Sequence, residues 1–153
     1  MSRLLVVVAV ALAVLAIALR SRERHPPAVL ADPVRTPGVL NPDVTQGNIK
    51  QTICVPGWTR TVRPPVDYTN ALKVQQMRAY HELGSPSDYQ EDHLISLELG
   101  GNPTDPRNLW PEPYPRASQV DQIENDLNAK VCSGALTLAD AQLQESTLKH
   151  RSG

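Results

Sequence analysis

Y-Q-E-D-H-L-I-S-L-E-L-G-G-N-P-T-D-P-R-N-L-W-P-E-P, residues Tyr89 to Pro113, holds the densest polar and turn chemistry in the chain. An adjacent carboxylate and imidazole, Asp92 and His93, precede a run rich in apolar side chains, Leu94 to Leu99. The pair Gly100-Gly101 can take the positive φ of a tight reversal. Asn108-Leu109-Trp110 then returns with an apolar anchor. The pattern predicts a short strand over Leu94 to Leu99, a polar connection through Pro103 and Pro106, and an exit through Pro111, Pro113 and Pro115, which cannot continue a helix.

Towards the C-terminus, Ser118 with Asp121 three residues on makes a capping-box-like start. Val120, Ile123, Leu127 and Val131 then repeat at helical spacing, predicting a helix to about Cys132 with one apolar stripe. On that wheel Glu124 falls about 40° and Asn128 about 80° from Val120, so two oxygen-bearing side chains line one edge of the stripe. Beyond Gly134, Thr137 to about Leu148 reads as a last helix capped by Thr137 and Asp140, and 149–153 as a frayed tail.

Towards the N-terminus, Thr69 reads as the cap of a helix to about Leu83, with Gly84 placed to end it. Gln51 to Val66 carries β-branched residues broken by Pro56-Gly57 and closed by Pro64-Pro65, which predicts a short strand or hairpin beside Cys54. Residues 32–48, rich in Pro, Gly, Asn and Asp, read as an extended lead-in or linker.

The first 31 residues are a targeting or anchoring segment. Arg3 followed by the unbroken apolar run Leu4 to Leu19 has the n-region and h-region of a secretory signal. The run is slightly short of the about 20 residues that a membrane span needs. Arg20, Arg22 and Arg24 follow where a signal peptide has a neutral c-region, while Val29-Leu30-Ala31 offers small-residue cleavage chemistry. Cleavage after Ala31 and retention of residues 4–19 as a membrane anchor both stand. Either way the domain is exported, to the medium, the periplasm or the cell envelope.

The whole chain has a net charge of −1, and removal of residues 1–31 would take away four Arg and one Glu, leaving −4. There is no global basic signature, which argues against tight non-specific DNA binding. The two cysteines, Cys54 and Cys132, flank the central stretch with no zinc spacing. In an exported chain they read as a disulfide contributing about 4 kcal/mol on the chain-entropy account. Two unrelated buried thiols are the alternative.

Aspartate-histidine, a glycine pair, Asn-Leu-Trp and a following helix with Ile-Glu-Asn-Asp-Leu-Asn at 123–128 together resemble the HNH endonuclease family. Within it the chain looks like an exported HNH-like subgroup, with Ile53 to Trp58 and Val131 to Gly134 extending the likeness over roughly Thr36 to Gln142. The resemblance implies an α+β fold with a small ββα-metal (HNH-like) hairpin-plus-helix core, flanking helices and a Pro-rich lead-in, the domain spanning 49–148. It implies His93 as general base, Asn108 as the residue fixing the hairpin or the imidazole, and Asp92 as ligand to a divalent metal, Mg²⁺ or Mn²⁺. The last metal ligand of the motif, usually His, falls here on Asn128, with Glu124 one turn earlier as a helper. The implied activity is hydrolysis of phosphodiester bonds in DNA rather than RNA, by a monomer. A catalytically inactive exported module of the same fold is the alternative.

Taken singly, each residue also has a structural reading. His93 can be a neutral buried imidazole held by a carbonyl, Asn108 an Asx-turn, and Glu124 with Asn128 a solvated helix edge. Their joint occurrence in this order favours chemistry.

Overall fold

A computed structural model of the chain describes residues 30–151. The strands β1 (Tyr89–His93) and β2 (Leu109–Pro113) pair antiparallel, and around them pack α1 (Trp58–Val62), α2 (Val66–Ala79), α3 (Tyr114–Ser133) and α4 (Leu138–Arg151). Shorter 3-10 segments lie at Gln46–Gln51, Pro86–Asp88, Leu97–Leu99 and Pro106–Asn108. The class is α+β. The apolar run Leu4 to Leu19 lies outside the described residues, and among those described no helix is long and apolar enough to cross a membrane.

The first strand falls one segment earlier than the leucine run suggests. β1 ends on His93, which faces Leu109 across the hairpin while Asp92 faces Trp110. A half-covered strand buries alternate side chains. Leu94, Ile95, Leu97 and Leu99 are instead all buried, and the chain there coils into the Leu97–Leu99 turn. Gly100 closes that turn at φ 75°, and Gly101 passes so close to Ile95 that a Cβ would stand 1.7 Å from its carbonyl oxygen. Backbone cannot yield as a flexible side chain can. Gly101→Ala is therefore expected to cost about 3 kcal/mol or more in thermal or urea unfolding. Gly134→Ala has no heavy atom within 4 Å of the added Cβ, at φ 82°, and should cost only about 1–2 kcal/mol from the left-handed backbone. Equal losses at both positions would contradict the crowding argument.

The segment from Gln51 to Val66 is not a strand. It holds the end of a 3-10 segment, a series of turns and α1, which starts after Gly57 at φ 81°. Pro56-Gly57 and Pro64-Pro65 leave its β-branched residues no uninterrupted stretch to pair, and among the described residues the only bridge outside β1 and β2 joins Leu40 to Gly101. α2 begins at Val66 rather than Thr69, because Pro65 supplies an extended N-cap with φ near the helical value. It ends before Leu83, which is 80% exposed.

α3 starts at Tyr114, four residues before Ser118. Pro115 sits in its first turn, where the missing N–H has no intrahelical partner to lose, so this proline opens a helix instead of preventing one. The buried face of α3 is Ala117, Val120, Glu124, Leu127 and Val131, while Ile123 is 40% exposed. The stripe is rotated from the one the apolar residues define, and it carries Glu124 inwards. Thr137 caps α4 as expected, its Oγ1 accepting from the Asp140 amide at 3.1 Å. The helix continues to Arg151, and Lys149, expected in a frayed tail, is wholly buried.

The main core joins Val44, Ile49 and Ile53 from the lead-in side to Ile95 and Leu99 of the hairpin loop and to Leu127, Val131, Leu138 and Ala141 of the two last helices. A disulfide links Cys54 to Cys132, with Cα atoms 5.6 Å apart and a sequence separation of 78. It ties the end of α3 to the segment before α1, and such a bond fits an oxidising compartment. Residues 32–48 run along the hairpin loop, with backbone bonds from Gly38 to Arg107 and from Asn102 to Val39.

Candidate functional site

Asp92 and His93 stand at the end of β1, where the hairpin loop begins. The loop is held by Asn108, fully buried, whose Oδ1 accepts from the Ile95 amide at 3.0 Å and whose Nδ2 donates to the carbonyls of Ile95 and Asn102, each at 3.0 Å. Both donors and one acceptor site of that amide go into loop geometry. The same loop presents the Pro103 carbonyl to His93 Nε2 at 3.1 Å. A carbonyl can only accept, so Nε2 carries the proton and the neutral ring keeps its lone pair on Nδ1. Burial disfavours the imidazolium and pulls His93 below the ordinary imidazole value, against the opposing pull of the Pro103 carbonyl and the Asp92 charge. At neutral pH the ring is a base.

Behind this pair lies a buried ion cluster built from three elements. The ammonium of Lys149 on α4 donates to Asp92 Oδ2 at 2.8 Å, to Glu124 Oε1 of α3 at 2.6 Å and to the His93 backbone carbonyl, with Glu145 Oε1 at 3.3 Å. Glu145 in turn accepts from the Ser96 amide through both oxygens, at 2.9 and 3.0 Å. Glu112 of β2 pairs with Arg116, whose guanidinium also donates to the Leu148 carbonyl at 3.2 Å and lies 5.7 Å from the Trp110 ring centre.

Desolvation and charge pull these groups in opposite directions. Burial opposes the Lys149 charge, but the carboxylates of Asp92, Glu124, Glu145 and Glu112 together outweigh it and hold the ammonium well above the ordinary lysine value. Burial raises Asp92 too, yet the Lys149 charge and hydrogen bonds from Glu112 and Lys149 bring it below the usual carboxylate range. Glu124 and Glu145 lie on the other side of the balance, raised by burial despite Lys149. Glu112 is pushed up to about 8 by burial and the Asp92 charge. Asp92 is thus the carboxylate held most firmly in its ionised form, while burial pushes Glu124, Glu145 and Glu112 towards protonation.

A cavity of about 300 Å³ opens in front of the cluster, walled by Asp92, His93, Ser96, Glu98, Asp121 and Glu124, with Arg63 among its other lining residues. Oxygens of Asp92, Asp121 and Glu124 lie within 4.8 Å of one another. Lys149 engages Oδ2 of Asp92 and Oε1 of Glu124, and Gln90 Nε2 makes a long 3.4 Å contact with Asp92 Oδ1. The hydroxyl of Ser96, on the same wall, is buried without a hydrogen-bond partner. The three carboxylates form an all-oxygen set that could hold a hard cation.

Of the residues singled out in the sequence, Asp92, His93 and Glu124 come together around this cavity and Asn108 braces it from the loop. Asn128 does not join them. Its Nδ2 donates to the Glu98 carbonyl at 2.8 Å and the Ile53 carbonyl at 3.3 Å, and it lines a separate cavity beside the disulfide. Asp121, Glu145 and Lys149 were missed. Asp121 stands three residues before Glu124 and so on the same helix face, a signal obscured by its reading as part of a cap. Glu145 and Lys149 are spaced four apart on one helix, but nothing in that spacing says the pair is buried.

No protein-family model, no curated protein and no solved structure matches the chain.

Proposed function

We propose that this chain is a metal-dependent endonuclease of the HNH type, exported and acting as a monomer on the phosphodiester bonds of DNA. On this reading β1, β2 and α3 form a ββα-metal core. The observation that carries it is the pairing, on one cavity wall, of an imidazole kept basic at Nδ1 with an ionised Asp92 and two further carboxylates within reach of a common cation.

Asp92, Glu124 and Asp121 would hold the metal, and Asn128 plays no part in ligation. When bound, the cation supplies positive charge to the phosphate and to the oxygen that leaves it. His93 takes the proton of the attacking water at Nδ1 while its Nε2–H stays anchored on Pro103. Lys149 fixes one oxygen each of Asp92 and Glu124, so that both carboxylates meet the cavity in a set orientation.

The purified protein, disulfide intact, is expected to nick supercoiled plasmid in Mg²⁺ or Mn²⁺ and to stop on chelation, and calorimetry should register binding of the metal alone. A second reading, an inactive module of the same fold, is favoured by one observation: the Lys149 ammonium already lies among the carboxylates and balances part of their charge. Absence of both cleavage and metal binding across divalent cations would select it.

A further inference from the structure

The cavity beside His93 has four carboxyl side chains on its wall, Asp92, Glu98, Asp121 and Glu124, and a single permanent cation, Arg63. A DNA strand entering it meets like charge. A divalent metal offsets that charge only at the reacting phosphate, so a second positive group is needed where the strand enters. Arg63 has the properties for that position. Its side chain is exposed, and among the described residues its guanidinium lies within salt-bridge distance of no carboxylate. Its N–H donors are not committed to the fold.

The backbone holds it in place. Arg63 ends α1 in an extended conformation (φ −61°, ψ 129°), its amide donating to the Thr59 carbonyl at 3.0 Å, and Pro64 and Pro65 follow at once. A residue before proline is disfavoured in the helical region, and the two prolines fix their own φ, so the corner between α1 and α2 is stiff. Pro64 is buried, which seats that corner against the domain. The Arg63 charge is also felt at His93, Glu98 and Asp121, all of which line the cavity.

We propose that Arg63 is the phosphate anchor of this site: its guanidinium grips a backbone phosphate of the DNA strand at the cavity mouth and so sets the neighbouring linkage before His93. A planar fork of N–H donors can hold two phosphate oxygens at once, which a lysine ammonium cannot do with the same geometry. Arg63 is a binding and positioning group and takes no part in proton transfer. The proposal rests on the endonuclease reading above and adds a named contact to it.

The test measures DNA binding apart from cleavage. In a His93→Ala background with Mg²⁺ present, binding of a fluorescein-labelled DNA oligonucleotide is followed by anisotropy over a salt series, with and without Arg63→Ala. The expected result is a five- to tenfold weaker affinity, a salt slope smaller by about one, and partial recovery with Arg63→Lys. In the otherwise native protein Arg63→Ala should raise KM for plasmid nicking with little change in kcat, and the midpoint of thermal unfolding should stay put. Unchanged affinity and salt slope in a protein whose native form cleaves DNA would overturn the anchor and leave the endonuclease standing. Native protein that neither binds nor cleaves DNA in any divalent metal would overturn both.

Discussion

Lys149→Met should destabilise the protein by about 3–5 kcal/mol at pH 7, measured by urea or thermal unfolding, the largest stability loss expected for a single side chain outside the glycine crowding at Gly101. The argument is about what the substitution leaves behind. Lys149 is fully buried, and its ammonium is the cation shared by Asp92, Glu124 and Glu145. Methionine fills much of the same volume, so the loss is of charge and not of packing. The carboxyls must then take up protons or remain ionised in a medium that solvates them poorly.

That mechanism fixes a pH dependence. In the native protein Asp92 lies below the usual carboxylate range, so its contribution is present above the unfolded value and fades as pH falls through the folded one. Lys149, held above the ordinary lysine value, contributes at every pH below that and loses its effect only in strong alkali. Without Lys149 the main influence holding Asp92 down is gone. The deficit of the variant should therefore be greatest at neutral pH and shrink as pH falls below about 4, where the carboxyls take up protons first in the unfolded chain and then, for Asp92, in the native one. Adding Glu124→Gln and Glu145→Gln to Lys149→Met should recover a large part of the loss, since it removes the orphaned charges. A deficit under about 1 kcal/mol at pH 7, or one that grows on acidification, is incompatible with this account.

For activity the largest expected effect is at His93. His93→Ala should lower the rate of plasmid nicking by about 10²–10⁴, the usual worth of a positioned general base. Circular dichroism and unfolding should change little by comparison, because three hydrogen bonds from the Asn108 amide hold the loop and the imidazole adds only one, to the Pro103 carbonyl. The native pH–rate profile should show its acid limb below the ordinary imidazole value, since burial disfavours the charged ring and the active form is the neutral one. A variant retaining more than about a tenth of native activity would remove His93 from the reaction and with it the proposed mechanism.

The contrast between these two residues shows what the sequence makes legible. His93 stands out because its neighbours are unusual: a carboxylate before it, glycines after it, an asparagine on the return. Each of those is a local cue, and the structure brings Asp92, His93 and Asn108 into one loop. Lys149 has no such cue. Near the end of the chain, in a stretch of charged and polar residues, it reads as solvated, and only the docking of α4 against β1 and α3 turns it into the centre of the site. Glu124 falls between the two cases. Its place on the helix wheel was right to within a turn, but the apolar residues alone point Ile123 inwards, and a buried counter-charge reverses that choice. The strand errors have a similar origin. A run such as Leu94 to Leu99 signals burial without saying whether alternate or successive side chains are covered, and the Asn108 amide and Gly101 decide the matter through contacts across the loop.

The disulfide has a consequence for the chain as an object exposed to proteases. The covalent ring closed between Cys54 and Cys132 encloses Arg63, Asp92, His93, Asp121 and Glu124, whereas Glu145 and Lys149 enter from outside it. A single cut in the exposed stretch around Leu83 would open the backbone without parting the two fragments, and each would keep its place on the hairpin or the helices. A cut between α3 and α4 has no such safeguard. It would release the helix that carries the buried cation, so the durability of the site in a protease-rich setting depends on the short connection from Gly134 to Thr137.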